Sequence, residues 1–421
     1  MGTRRRKKPL QDVLSREFEG VLPGVDRRLI VSERCTLNKK VEETANITII
    51  IPTKNAGAEF RDTLDAIRRQ TREPEVLVVD SGSSDGTVEL ARQFGARTIS
   101  IPPESFNHGE TRNLGIREGT GRFCVMLVQD AVPVGETWLE NLIAPFSDER
   151  VVGVTGRHTP RPESDLVGRW QVEFRNSFLG DKLRVQEMDS WENFLTLSLE
   201  ERLRLVSFDN VCSALRRDFW EKCPFQPLRF AEDLDWGVRA MAAGYKLVYN
   251  PSIRVLHSHT RPAAYHLRRS YVSGRVVPKL LHVPPSYTGV QNDDELFALL
   301  GFLCGEVRTI LNEQVTDWRK FSTSSAAEPR LWESLLLAAG LRPAPPSYKL
   351  NAVRGSFYFM LEHLDGSREK SRDPVALESV ITQALGEAAG SFAASYYNWC
   401  EVHGVVSEGM QRLDQALSKG V

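Results

Sequence analysis

The sequence predicts an α/β fold built on a mostly parallel sheet flanked by helices, followed by a helical carboxy-terminal region. Short β-branched runs recur before Pro262, segments with apolar residues at helical spacing lie between them, and after Pro262 the chain reads as helices with Pro-rich breaks. Strands fed by helices imply a parallel sheet with helices packed on its faces.

Taken in order, residues 1–45 form an amino-terminal arm, which carries the basic run "RRRKK" from Arg4 to Lys8. Residues 46–262 hold the alternating unit. Its strands are "ITIIIPT" (Ile47 to Thr53), "EVLVVD" (Glu75 to Asp80), "ARTISIP" (Ala96 to Pro102) and "RFCVMLVQD" (Arg122 to Asp130). Between them, "AEFRDTLDAIRRQ", "TVELARQFG" and "GETRNLGIREG" have the apolar spacing of helices. Further on, "AEDLDWGVRA" starts an amphipathic helix with Leu234, Val238 and Met241 as its stripe, and "KLVYNP" is a strand that leads into "VLHSH". Residues 263–421 are the helical region, with "LRPAPPSYK" as a break and "ELFALLGFLCGEVRTIL" and "ALESVITQALGEAAGSFAASYYNWCEV" as amphipathic helices suited to packing on the first unit or on another subunit.

Bulk properties narrow the function. A net charge of -1 over 421 residues gives no whole-molecule case for nucleic-acid binding. The six cysteines, Cys35, Cys124, Cys212, Cys223, Cys304 and Cys400, show neither a CxxC pair nor zinc spacing, a pattern that favours a reducing compartment. The amino terminus has charges without a following apolar core, and no apolar run reaches the ~18 residues needed to span a bilayer. The expectation is a cytoplasmic protein whose only membrane contact is at its surface. "YHLRRSYVSGRVVPKLL" sets Arg268, Arg269, Arg275 and Lys279 among apolar residues, which suits either an anionic membrane or a solvated helix face.

In such sheets ligands sit outside the carboxyl ends of the strands. Asp80 and Asp130 each close a predicted strand, so both are expected in one crevice. The turn "SGSSDGT" after Asp80 is Gly/Ser-rich enough to approach a nucleotide; alone it reads equally as a strand-to-helix turn capped by Ser84 or Asp85. Pro52, Thr53 and Lys54 close the preceding strand on the same edge.

Four segments in order, "TIIIPTKNAGAEFRDTLDAIRRQ", "VLVVDSGSSDGT", "GETRNLGIREGTGRFCVMLVQDAVP" and "FAEDLDWGVRAMAAGYKLVYNPSIRVLHSH", resemble the family-2 glycosyltransferases of the GT-A nucleotide-sugar-binding fold. The set "DSGSSDGT", "SFNHGETRNLG" and "QDAVP" is most similar to the rhamnosyltransferase branch. The resemblance covers Asn46 to Pro262. It implies that Asp80 hydrogen-bonds the nucleotide base, with Pro52, Thr53, Ser81 and Gly82 around the nucleotide sugar. It also implies that the family's metal-binding DxD motif falls on Val128, Gln129 and Asp130, so that its first carboxylate is missing here. One aspartate can still hold Mg²⁺ or Mn²⁺, because phosphate oxygens and water fill the rest of such a shell. A histidine closing onto the cation falls on His257 or His259, with His257 preferred; a surface histidine pair is the plainer reading. Arg112 suits phosphate oxygens, and Asn113 and His108 suit the nucleotide or sugar, unless these are ordinary residues of a loop and helix start; Gly109 gives the backbone room to turn.

The family's "ED" motif matches Glu232 and Asp233, and its base is the aspartate. Acidic residues also complement a helix N-terminus, but Glu232, Asp233 and Asp235 within four residues exceed what capping needs. An inverting transfer is implied, from a nucleotide diphosphate donor, dTDP-L-rhamnose before a UDP-hexose or GDP-sugar, to a hydroxyl of a glycan or lipid-linked glycan, at the inner face of the membrane; self-association is left open. Two rivals differ in kind. A sugar-1-phosphate nucleotidyltransferase needs a Gly-rich, Arg/Lys-bearing loop after its first strand, which "PTKNAGAEF" matches poorly. A non-catalytic nucleotide-sugar-binding module would explain the missing carboxylate but has no use for a base.

Overall fold

The computed structural model describes residues 47–285, 292, 293, 296 and 374–419. The arm, "RRRKK" and "ELFALLGFLCGEVRTIL" therefore lie outside the described residues, apart from Leu296. The element order is β1 (Ile47–Thr53), α1 (Phe60–Arg68), β2 (Glu75–Asp80), α2 (Thr87–Gln93), β3 (Arg97–Ser100), α3 (His108–Glu118), β4 (Phe123–Leu127) and β5 (Val132–Pro133). It continues with α4 (Trp138–Ile143), β6 (Val151–Thr159), α5 (Leu166–Leu179), β7 (Arg184–Gln186), α6 (Trp191–Thr196), α7 (Leu199–Leu205), β8 (Cys212–Arg216) and α8 (Arg217–Trp220). Last come α9 (Glu232–Ala242), β9 (Lys246–Leu256), α10 (Ala263–Leu280), α11 (Pro374–His403) and α12 (Glu408–Leu417).

One sheet runs β3-β2-β1-β4-β8-β6-β9-β5, with β7 also on β9. Strands β3, β2, β1 and β4 are mutually parallel, as the alternating pattern predicts. Antiparallel partners enter with β8, which pairs with both β4 and β6, while β6 and β9 are again parallel. Both faces of the sheet are covered. On β1, Ile49 and Ile51 join Phe60, Leu64 and Trp138, whereas Ile50 joins Met126, Leu215 and Trp236 on the opposite face. That is why "ITIII" is continuously apolar instead of alternating: each isoleucine is buried on one face or the other, at about 1.5–3 kcal/mol of hydrophobic stabilisation apiece.

Strand β4 is shorter than the sequence suggests. Its pairing ends at Leu127 opposite Cys212, and the chain then turns through Ala131 N–H to Val128 C=O at 3.1 Å. Asp130 accordingly sits in the turn after the strand and not at its last position. In contrast, β9 is longer than "KLVYNP" and delivers the chain directly to His257.

Helix α11 packs along α10, with Ala389, Ala393, Ala394, Tyr396 and Tyr397 buried, and joins it through Ser270 Oγ to Glu387 C=O at 2.7 Å and Asn398 Nδ2 to Gly274 C=O at 2.8 Å. Arg275 pairs with Glu401 at 3.2 Å and Asp414 at 3.5 Å, and Lys279 also meets Glu401. Arg269 lies over the Phe230 ring at 4.7 Å. Of the four basic residues considered for a membrane surface, Arg275 and Lys279 are thus engaged within the helical region.

Candidate active site

The carboxyl ends of β1, β2 and β4 meet at one edge of the sheet. Asp80, the last residue of β2, is buried, and its carboxylate accepts from Thr53 Oγ1 at 3.0 Å, Gly82 N–H at 3.0 Å, and Ser83 N–H and Oγ at 2.9 and 2.5 Å. Ser81 is buried too, its hydroxyl turned to the Thr53 carbonyl at 3.0 Å. Gly82 adopts φ +88°, and a Cβ there would come within 2.8 Å of Pro103 Cγ, so this turn needs glycine on both counts. Pro52 precedes Thr53 on the same strand end, half-buried. Gln129 ties the two edges together: Lys54 N–H donates to Gln129 Oε1 at 2.9 Å. The position of the missing carboxylate is Val128, which is half-buried and packs against the core on one face of the sheet.

Asp130 faces both histidines. His257 Nε2 stands 3.8 Å from Asp130 Oδ1 and His259 Nδ1 3.4 Å from Oδ2. One ligand atom from each of the three lies within 4.8 Å of the others. The sequence left His257 and His259 as alternatives; both arrive, because the chain after β9 turns both rings inward. Burial first, then neighbouring His158 and His259, holds His257 well below the usual histidine range, which keeps it neutral and able to ligate. Two imidazoles and a carboxylate fit Mn²⁺ well and remain compatible with Mg²⁺. From behind, Arg161 donates to the Asp130 carbonyl at 2.6 Å and holds the turn.

The acidic helix start is linked to this trio through His158, Asp209 and Asn210. Helix α9 begins after Ala231, which adopts φ +61° and caps no backbone amide with its side chain. A left-handed alanine is uncommon, and here it precedes two acidic residues that both reach Asn210. Glu232 turns inward, 5% exposed, to accept from Arg112 Nη1 at 2.7 Å and Asn210 Nδ2 at 3.3 Å. Asp233 accepts from Asn210 N–H at 3.2 Å and Leu234 N–H at 2.8 Å. Burial, then the charges of Glu232 and Asp209, pushes the Asp233 carboxyl up to about 7. Asp235 pairs with Arg239 at 2.7 Å along the helix, the ordinary i,i+4 arrangement expected of a first-turn acid.

Two residues suggested by sequence for the nucleotide sugar are engaged within the protein. Arg112 is 5% exposed and is matched to Glu232. Asn113 accepts from Trp220 Nε1 at 2.9 Å and Phe225 N–H at 3.1 Å, and donates to the Phe225 carbonyl at 2.8 Å. Their neighbour Gly109 does give the backbone room: a Cβ there would lie 2.3 Å from the Gln226 carbonyl.

Sequence reasoning missed what connects the metal trio to Asp233. His158, buried at the end of β6, has its ring 5.3 Å from that of His257, edge to face, and its Nε2 3.3 Å from Asp209 Oδ1. Asp209 also receives Arg175, which holds its carboxyl well below the usual range against the opposing effect of burial. The next residue, Asn210, carries Asp233. The only trace in the sequence is "FDN" before an apolar strand, too short to single out.

Residues 48–219 match the family model described as Glycosyl transferase family 2. Among curated proteins, the chain is 33% identical over 233 residues to the O-antigen chain rhamnosyltransferase RfbN of Salmonella typhimurium (strain LT2), covering 54% of this chain and 71% of that one. It is 30% identical over 234 residues to the O-antigen chain rhamnosyltransferase WbaN of Salmonella anatum, with 54% and 71% covered. Among solved structures, the mannosyltransferase PcManGT from Pyrobaculum calidifontis, in complex with GDP-Man and Mn²⁺, aligns at 16% identity and a TM-score of 0.44, over 82% of this chain and 86% of that one.

Proposed function

Because this chain belongs to glycosyl transferase family 2, we propose that it is an inverting enzyme that moves L-rhamnose from dTDP-L-rhamnose to a hydroxyl of a glycan or lipid-linked glycan. The observation that carries the reading is the pairing, through Asp209 and Asn210, of a convergent Asp130–His257–His259 trio with an aspartate whose carboxyl is raised to about 7.

The chain's own residues divide the work. Asp233 takes the proton from the acceptor hydroxyl as that oxygen attacks the anomeric carbon, opposite the leaving nucleoside diphosphate; no covalent enzyme intermediate is needed. Asn210 fixes Asp233, and Arg112 neutralises Glu232, so Glu232 positions the base and is not itself the base. A divalent cation held by Asp130, His257 and His259 would supply positive charge to the departing diphosphate. Thr53, Asp80 and the 81–83 turn form the floor for the base and ribose, with Asp80, whose carboxylate already accepts four hydrogen bonds from Thr53, Gly82 and Ser83, holding that turn in shape. Among the described residues no helix is long and apolar enough to cross a membrane.

The donor is tested by heat protection. A ligand that binds only the native state raises Tm with its concentration, and dTDP with Mn²⁺ is expected to raise it more than GDP or UDP at equal concentration. A larger rise with GDP moves the donor to another class.

The raised carboxyl also fixes a pH dependence. Asp233 must be ionised to act, so with Mn²⁺ saturating, kcat/KM is expected to climb as pH rises through about 7. An ordinary carboxylate would place that climb near 4. The same shift works against the fold: Asp233's contribution to stability is full below the ordinary carboxylate pKa and is lost as pH rises through about 7. A rate profile flat from pH 5 to 9 would show that the rate-limiting proton is not on Asp233.

A further inference from the structure

We propose that the chain carries a second subsite, built from Arg184, Arg175 and Tyr249, that binds an oxyanion on the acceptor, a phosphate ester or a carboxylate. The word acceptor rests on the glycosyltransferase reading; the oxyanion site does not.

The sheet brings these residues into one row. Arg184 on β7 is directly opposite Tyr249 on β9 in the antiparallel register, so the two side chains share a face. Across β9, Tyr249 is level with Thr155 of β6. The Thr155 hydroxyl stands 3.5 Å from Asp209 Oδ2, and Arg175 reaches the same carboxylate from α5. The row therefore ends at Asp209, and the next residue holds the base.

Its donors are unsatisfied. Tyr249 is fully buried, and its hydroxyl has no hydrogen-bond partner. Arg184 has Nε, Nη1 and Nη2 all enclosed without a partner, and Arg175 has Nη1 in the same state. Among the described residues no other arginine leaves more than one enclosed nitrogen unbonded. Arg184 lies 5.7 Å from the centre of the Tyr249 ring, but a cation–π contact uses the ring face and leaves every guanidinium N–H without an acceptor. Enclosed donors without partners are costly, and a planar guanidinium fork matches the paired oxygens of a phosphate or carboxylate.

The local charge has the right sign. Arg157 is matched by Asp181 and Arg175 by Asp209. Among the described residues Arg184 and Arg204 have no carboxylate within ion-pair reach, and Arg204 reaches the same corner, its Nη2 3.6 Å from where a Cβ on Gly180 would stand. Burial, then Arg204, holds the Arg184 guanidinium below its usual range, a burden that a bound anion would relieve. From Asp209 the row reaches Asp233 through Asn210 alone, whereas it reaches Asp130 only through His158 and then His257, and this shorter path places the anion on the acceptor side of the reaction.

Inorganic phosphate and glucuronate serve as probes, titrated into EDTA-treated protein at constant ionic strength set with chloride, with Tm as the readout. We expect Tm to rise with at least one probe, and the probe that acts tells a phosphate ester from a carboxylate. R184Q, and separately Y249F, should weaken that probe's apparent Kd about tenfold or more, while R184K keeps part of the effect. D130A should respond like the parent. The proposal is overturned if neither probe exceeds chloride in the parent, or if R184Q and Y249F, each with a parent-like Tm in chloride, respond as the parent does. Donor hydrolysis is measured alongside: if it proceeds while neither probe acts, the subsite fails and the transferase reading stands. If a probe acts and no nucleotide sugar is turned over, the subsite stands and the transferase reading fails.

Discussion

Asp233→Asn is expected to bind dTDP and Mn²⁺ like the parent while losing sugar transfer roughly 100-fold or more, the usual range for deleting a general base. The substitution keeps the size of the side chain and leaves one oxygen to accept from Leu234 N–H, the shorter of the two contacts, at the cost of the longer one from Asn210 N–H, so the start of α9 should survive. What it removes is the group that accepts the proton. Neighbouring carboxylates provide the contrast. Glu232→Gln leaves Arg112 a buried charge without its counter-charge, so its loss should appear first in Tm, with activity following the folded fraction. Asp235→Asn touches only the pair with Arg239 and should stay near parental activity. If Asp233→Asn transfers sugar at the parental rate, the base lies elsewhere.

Asp130→Ala is expected to abolish transfer, and EDTA should do the same to the parent. With Val128 at the first position of the motif and Gln129 engaged by the Lys54 amide, no second carboxylate stands beside Asp130 in the motif to take over. His257→Ala and His259→Ala should each weaken Mn²⁺ binding, measured directly by paramagnetic titration, by about 10-fold or more, and the loss in transfer should be recovered in part by excess Mn²⁺. Full transfer in EDTA would end the metal-dependent reading. Unchanged Mn²⁺ affinity in both histidine variants would remove them from the site.

Much of this arrangement could be read from residues alone. Continuous apolar runs ending in polar turns marked β1, β2 and β4, since strands buried on both faces leave no room for alternation. Asp80 was legible because a carboxylate closing such a run is rarely there for packing. The Asp130 position and the two histidines were legible as candidates, but sequence put both histidines on one face without showing whether either reached Asp130. Other features were invisible for a definite reason. Arg112 and Glu232 are 120 positions apart and read separately as a phosphate ligand and an acidic helix start; only the packing of α3 beside α9 makes them a pair. His158, Asp209 and Arg175 come from a strand, a loop and a helix, with no spacing that periodicity could detect. The antiparallel entry of β8 was likewise hidden, because a strand flanked on both sides carries no mark of its direction.

The turns that follow β1 and β2 are laced to each other. Asn55 N–H donates to Ser83 Oγ at 2.7 Å, Ser84 N–H returns to Asn55 Oδ1 at 2.9 Å, and Gly57 N–H reaches Asp85 Oδ2 at 2.9 Å. Asp85 also accepts from Thr87 at the start of α2, so the lacing is anchored in a helix. Freezing a loose backbone costs roughly 1–2 kcal/mol per residue, a penalty that a nucleotide must overcome wherever its binding loops fold around it. Here the protein's own hydrogen bonds fix that backbone. If the nucleotide binds at this rim as proposed, association would require little rearrangement, its rate would be governed by encounter instead of loop closure, and differences in affinity between bases would reside in how quickly each one leaves.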